Sequence, residues 1–148
     1  MPTKKTAAKE KRQKMPESLR LASLAPSFTV NDIGKSVAWY RDVLGFIVAE
    51  EWKTDTGKLA GVRLKAGAVT FMLNQDDFAK GRDRIKGVGF RLYCFTRQDV
   101  DARAAQVKSH GGKLESEPHT ESWGARVFRL SDPDGYRLTI GSWDESKS

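Results

Sequence analysis

The chain has one cysteine, Cys94, and two histidines, His110 and His119, in 148 residues. A lone thiol excludes an internal disulfide framework and any zinc site built on several thiolates. Two imidazoles exclude any site that needs three. No apolar run approaches the roughly 20 residues of a membrane span, and no apolar leader of the secretory type opens the chain. The expectation is a cytoplasmic protein without a membrane segment. Acidic residues are the scarcer sign, 19 against 26 Lys and Arg, for a net charge of +7. At 39% hydrophobic the chain can nevertheless bury a core, as one domain or two halves sharing it.

The charge is unevenly placed. Residues 1–20 hold Lys4, Lys5, Lys9, Lys11, Arg12, Lys14 and Arg20 against Glu10 and Glu17, a net of +5. The remainder of the chain is nearly balanced, at +2. The high pI therefore belongs mainly to a basic N-terminal extension, residues 1–23, and not to the domain. A second basic stretch, Lys80, Arg82, Arg84 and Lys86, is diluted by Asp83 and flanked by Gly81 and Gly87, and reads as a connector. No nucleic-acid-binding signature accompanies either cluster, so nucleic acid is expected only through the extension, if at all.

From Pro26 the pattern is regular. Ser27–Val30 reads as a strand, and Asp32 suits the N-cap of a helix carrying Ile33, Val37, Tyr40 and Leu44 at helical spacing. Gly45 ends that helix. Strands are predicted at 46–52, 61–65 and 68–74. A second round follows. Phe90 to Thr96 reads as a strand, and Asp99 caps a helix with Val100, Ala104 and Val107, which Gly111-Gly112 stops. Strands are then predicted at 113–117, 125–130 and 136–142, the last two joined by the turn Asp132-Pro133-Asp134-Gly135. The rounds match in spacing. The offset from Asp32 to Asp99 equals that from Gly45 to Gly112, and the offset from Phe71 to Thr139 is one greater. Each half reads βαβββ. Residues 24–86 form the first module with its connector, 87–143 the second, and 144–148 a short tail.

Two segments, PSFTVNDIGKSVAWYRDVLGF (Pro26–Phe46) and SDPDGYRLTI (Ser131–Ile140), resemble the opening and closing motifs of the vicinal oxygen chelate superfamily, the glyoxalase, bleomycin-resistance and extradiol-dioxygenase group. Asp99–Lys113 resembles that group's second helix. The resemblance implies an α+β fold in which two βαβββ modules form a concave, cleft-lining mixed sheet with helices on the outer face. It also implies four strand positions that hold a divalent ion in metal-using members. Carried over singly, these fall on Ala25 or Ser27, on Phe71, on Leu92 or Phe90, and on Thr139. None is an imidazole or a carboxylate, so the expectation is a protein without metal or cofactor. Val69, Phe71 and Leu73, with Phe90, Leu92 and Cys94, are expected as an apolar cleft floor. This resembles the bleomycin-resistance type, which sequesters a small organic ligand in a homodimer cleft without chemistry.

Other residues complete the candidate ligand set. Trp123, before Gly124 at a strand start, suits a planar ligand. Arg63 and Arg126 lie within predicted strands and would favour an anionic ligand if they point inward. Trp39, Trp52 and Trp143 read as packing or cleft-border residues, and Cys94 as an inert core thiol. The candidate ligand-binding residues are thus Ser27, Arg63, Phe71, Phe90, Leu92, Trp123, Arg126 and Thr139. The alternative is a metal-dependent lyase, isomerase or dioxygenase of the same group, with a displaced set such as His119 with Glu115 or Glu121.

Overall fold

The computed structural model describes residues 18–147; the lysines and Arg12 of the expected extension lie outside them, and Arg20 lies within. The chain runs β1 (Ser27–Val30), α1 (Ile33–Ala38) with a π-helical last turn (Trp39–Val43), β2 (Ile47–Lys53), β3 (Leu59–Ala66) and β4 (Val69–Gln75). The second module follows as β5 (Leu92–Thr96), α2 (Val100–Ser109), β6 (Ser116–Thr120), β7 (Arg126–Ser131) and β8 (Arg137–Ser142), with a short helical turn at Glu145–Lys147. The two sheets have the same order, β1-β4-β3-β2 and β5-β8-β7-β6, with the outer pairs β1·β4 and β5·β8 parallel and the rest antiparallel. Two four-stranded mixed sheets, each with one helix, give the α+β architecture that the repeat implied. No helix among the described residues is long and apolar enough to cross a membrane.

The caps behave as their chemistry dictates. The Asp32 carboxylate accepts from Lys35 N–H and the Asp99 carboxylate from Ala102 N–H. The strand predicted at 113–117 instead forms at Ser116–Thr120. Leu114, between α2 and β6, packs on the core, and Glu115 N–H makes the first bond to Arg129 C=O at 2.8 Å. Pro118 is tolerated because β6 is an edge strand, where a missing donor costs no ladder bond.

One core serves both modules. Phe28, Val30, Val62, Leu64, Phe71 and Leu73 meet Ile33, Val37 and Tyr40 of α1, and continue into Phe128, Leu130, Leu138 and Tyr136. The helix-covered face of each sheet is therefore apolar, and alternation sends the other set of side chains to an open face. This corrects the expected cleft floor. Phe71 is 2% exposed, with its ring 6.0 Å from Tyr40, and Leu92 packs against the same core. Both face the helices, not the open face.

The seam between modules is held by the closing turn. Asp132 accepts from the backbone of Asp134 and Tyr136 and from Tyr40 Oη at 2.9 Å. Asp134 accepts from Asn31 N–H and Ser36 Oγ–H. Tyr136 stacks on Phe28 with centroids 4.3 Å apart and donates to Thr29 C=O at 2.7 Å. Burial raises the Asp132 carboxyl above its ordinary value, against the pull of the donors around it, and raises the Tyr40 phenol in the same way. Gly87 sits against this turn. A Cβ there would lie 2.5 Å from Gly135 C=O, which only glycine avoids. The basic connector is not simply solvated either: Lys86 is 8% exposed and binds Asp76 at 2.8 Å and Asn31 at 2.6 Å.

Candidate functional site

The open faces present two equivalent rows. In the first module Arg63, Met72 and Ser27 are in register on β3, β4 and β1. In the second, Arg129, Thr139 and Tyr93 are in register on β7, β8 and β5. Met72 and Thr139 are separated by the same offset as the two caps, Asp32 and Asp99, so Met72 and not Phe71 is the counterpart of Thr139. The register likewise makes Tyr93, not Leu92, the counterpart of Ser27. A slip of one position moved two expected residues to the wrong face.

The first open face is mixed, with Met72 and Ile47 among polar residues and one aromatic, Trp52. Ser27 Oγ accepts from Asn74 Nδ2 at 2.6 Å, and Arg63 pairs with Glu50 at 3.2 Å. Trp52 lies over Gly61, where a Cβ would come within 3.0 Å of the indole.

The second open face is richer. His119 on β6 stands opposite Val127 of β7, beside Arg129. Arg129 Nη2 donates to Glu121 Oε1 at 2.5 Å, His119 Nε2 lies 3.1 Å from the same oxygen, and Arg129 Nη1 lies 3.4 Å from His119. The Arg129 guanidinium, and then the His119 ring, hold the Glu121 carboxyl below its ordinary value. His119 Nδ1 lies 2.8 Å from Glu117 C=O. Tyr93 covers Gly141, where a Cβ would approach its ring to 2.9 Å. Its ring stacks on Phe95 at 4.7 Å, and Phe95 meets Trp143 edge-on at 6.0 Å. All three aromatics are more than a third exposed. Among the described residues, two buried side-chain polar atoms lack a hydrogen-bond partner, Arg129 Nε and Thr139 Oγ1, and they belong to facing residues of one row.

The expected site residues are scattered over several surfaces. Ser27, Arg63 and Thr139 are on open faces. Phe71 and Leu92 are in or against the core. Phe90 lies in the connector beside Phe28 and Tyr136, lining a groove of about 650 Å³ with Arg91, Ser131 and Arg137. Trp123 is exposed in the β6–β7 turn. Arg126 points to the helix side, where it makes paired contacts with Asp101 of α2 at 2.8 and 3.0 Å. That arginine is one position out of phase with the open-face set of β7, and the residue in phase is Arg129. Phe71 and Cys94 line a different groove, of about 720 Å³, between the modules on the helix side. Burial pushes the Cys94 thiol up to about 11, which keeps it protonated.

Comparison with known proteins decides the family. The model of the Glyoxalase/Bleomycin resistance protein/Dioxygenase superfamily matches residues 20–140. The chain belongs to this superfamily. The Escherichia coli (strain K12) protein YaeR, described as uncharacterized, is 30% identical over 114 residues, 74% of this chain and 86% of that protein. A glyoxalase/bleomycin resistance protein/dioxygenase structure from Nocardioides superposes with a TM-score of 0.67 over 94% of each chain at 16% identity. An Agrobacterium tumefaciens str. C58 protein of unknown function has a TM-score of 0.61 at 27% identity, over 86% of this chain and 97% of that one.

The superfamily's four ion-holding positions, corrected for register, are Ser27, Met72, Tyr93 and Thr139. Two alcohols, a phenol and a thioether are poor donors to a divalent ion, which prefers imidazole, carboxylate or thiolate. The displaced set comes together only in part. His119 and Glu121 do meet, but the Arg129 guanidinium contacts both, which is unfavourable beside a metal cation, and Glu115 binds Ser131 instead. The residues present do not fit a resident metal.

Proposed function

We propose that this superfamily member is a cytoplasmic, metal-independent binding protein for a small organic ligand, held on the open face of the second module and enclosed when two copies associate. The observation that carries the reading is the donor set Ser27, Met72, Tyr93 and Thr139, which replaces ion-holding groups with an uncharged row beside exposed aromatics. Tyr93, Phe95 and Trp143 form a continuous ring surface of a kind that marks ligand or subunit contacts. Metal analysis after dialysis tests the first half, with a substoichiometric content expected. A stoichiometric divalent ion that survives dialysis overturns it. Sedimentation analysis tests the association, with about twice the 16.5 kDa chain mass expected and a strictly monomeric protein counting against it.

A second reading is an enzyme, favoured by the His119–Glu121 contact on the same face. An imidazole beside a carboxylate is a familiar proton-transfer pair. Thermal stabilisation by Mn²⁺, Zn²⁺ or Ni²⁺ that disappears in His119→Ala would support it in its metal-dependent form.

A further inference from the structure

We infer that the helix-side groove between the modules is a second binding site, for a small aliphatic acid with its alkyl chain in the groove and its carboxylate at Arg103. The groove lies on the covered side of the sheets, so the inference does not depend on the reading of the open face. Its volume is about 720 Å³, within the range of about 300–1,000 Å³ usual for small-molecule sites. One wall is the π-helical end of α1, which supplies Arg41, Asp42, Val43 and Leu44. Turns of this kind are rare and recur at functional sites. The other wall is α2, where Arg103, Gln106 and the cap residue His110 share one face at helical spacing. The floor offers apolar side chains that solvent still reaches, Ala66, Val69, Cys94 and Ile140.

Charge fixes the sign of the head group. Three arginines and one carboxylate, Asp42, line the groove, in a chain that is nearly balanced beyond its basic extension. That carboxylate is already taken. Arg41 grips both its oxygens, at 2.8 and 3.0 Å, and with the His110 ring holds it below its ordinary value. Arg97 is occupied by Glu145 and lies over Trp143. Arg103 differs from both. It is half-buried, lines the groove, and its guanidinium has no acidic partner among the described residues. A carboxylate matches its forked donors, and the Gln106 amide beside it adds another. The body of the ligand follows from the floor. The rings beneath it, Phe46, Phe71 and Phe128, are buried, and Phe95 at its margin is stacked on Tyr93. What remains to touch is mainly aliphatic, so an alkyl chain, and not a planar ring, is the complement.

The test is calorimetric titration of the full-length protein with octanoate and with its uncharged methyl ester. The acid is expected to bind at least about tenfold more tightly than the ester, the scale of one charge-assisted hydrogen bond. Arg103→Gln is expected to weaken the acid about tenfold and the ester little. Arg103→Lys should restore part of the loss, since it returns the charge without the fork. Melting curves check that both variants fold. The location is read on the parent protein alone. Cys94 is the only thiol of the chain and lines the groove. Octanoate at ten times its Kd leaves about one site in eleven free, so alkylation of Cys94 by N-ethylmaleimide is expected to slow about tenfold. Equal affinity for acid and ester, or acid binding indifferent to Arg103→Gln, overturns the carboxylate anchor. Labelling that bound octanoate does not slow overturns the groove as the site. Failure of octanoate to bind overturns the whole inference and leaves the open-face reading standing, because that reading is tested with a planar probe.

Discussion

Thr139→Val is the substitution for which the structure makes the sharpest demand, because it removes a wholly buried polar atom while keeping the branched shape of the side chain. The Thr139 hydroxyl is wholly buried and has no partner. An unsatisfied buried polar group costs about 1–3 kcal/mol. Valine keeps the branched shape and replaces the hydroxyl with a methyl, whose burial contributes on the order of 0.8 kcal/mol. Some of that gain is lost to imperfect accommodation of the methyl. A net stabilisation of about 1 kcal/mol is expected, a rise of roughly 3 °C in Tm for a domain of this size. Urea and thermal unfolding at one fixed protein concentration measure it, since association would otherwise shift the result. A loss of about 1 kcal/mol or more would refute the reasoning. It would mean that the hydroxyl is already satisfied in the folded protein, by a buried water for example.

Other consequences concern the seam and the corrected residues. Tyr40→Phe removes the bond to Asp132 and should cost about 2 kcal/mol in urea unfolding, because the acceptor is a buried carboxylate. Gly87→Ala forces a side chain against Gly135 C=O at a φ of +77° and should cost at least about 2 kcal/mol by the same assay. Arg126→Ala breaks a surface pair only, so a change under about 1 kcal/mol and unaltered ligand affinity are expected. The pH response has two signs. Asp76, Asp101 and Glu121 sit below their ordinary values, so their contribution is present above those values and is lost as pH falls through the depressed ones. Asp132 is raised, so its contribution is complete below the ordinary value of 3.8 and is lost as pH rises through the raised one. Melting curves across that range should show the parent losing stability relative to Asp132→Asn as pH rises.

Much of the fold was legible because its signals are local. Asp32 and Asp99 cap the helices that the apolar spacing marks, and the offset between them fixes the second module from the first. The two motifs that carried the family resemblance turn out to be one contact. The closing turn at Asp132–Tyr136 grips Asn31, Ser36 and Tyr40 of the opening segment, which no local reading of a turn reveals. The site was less legible because a strand has period two. An offset from Thr139 one too long selected Phe71, and a neighbouring choice on β7 selected Arg126 over Arg129. Applying the cap spacing to β4 would have found Met72. His119 was named only in the alternative metal set, and its place on β6 beside Arg129 was not legible, because that strand begins at Ser116 and not directly after Gly112.

Ligand binding on the second open face without a metal is the central claim. Titration of a planar aromatic probe, a naphthalene carboxylate, into the protein before and after exhaustive chelation tests it most directly. The affinity is expected to be the same in both, and to fall about tenfold when the exposed Phe95 is replaced in Phe95→Ala. Binding that vanishes on chelation and returns with a divalent ion would contradict the claim. So would binding that ignores Phe95 and is abolished by Val69→Arg in the helix-side groove.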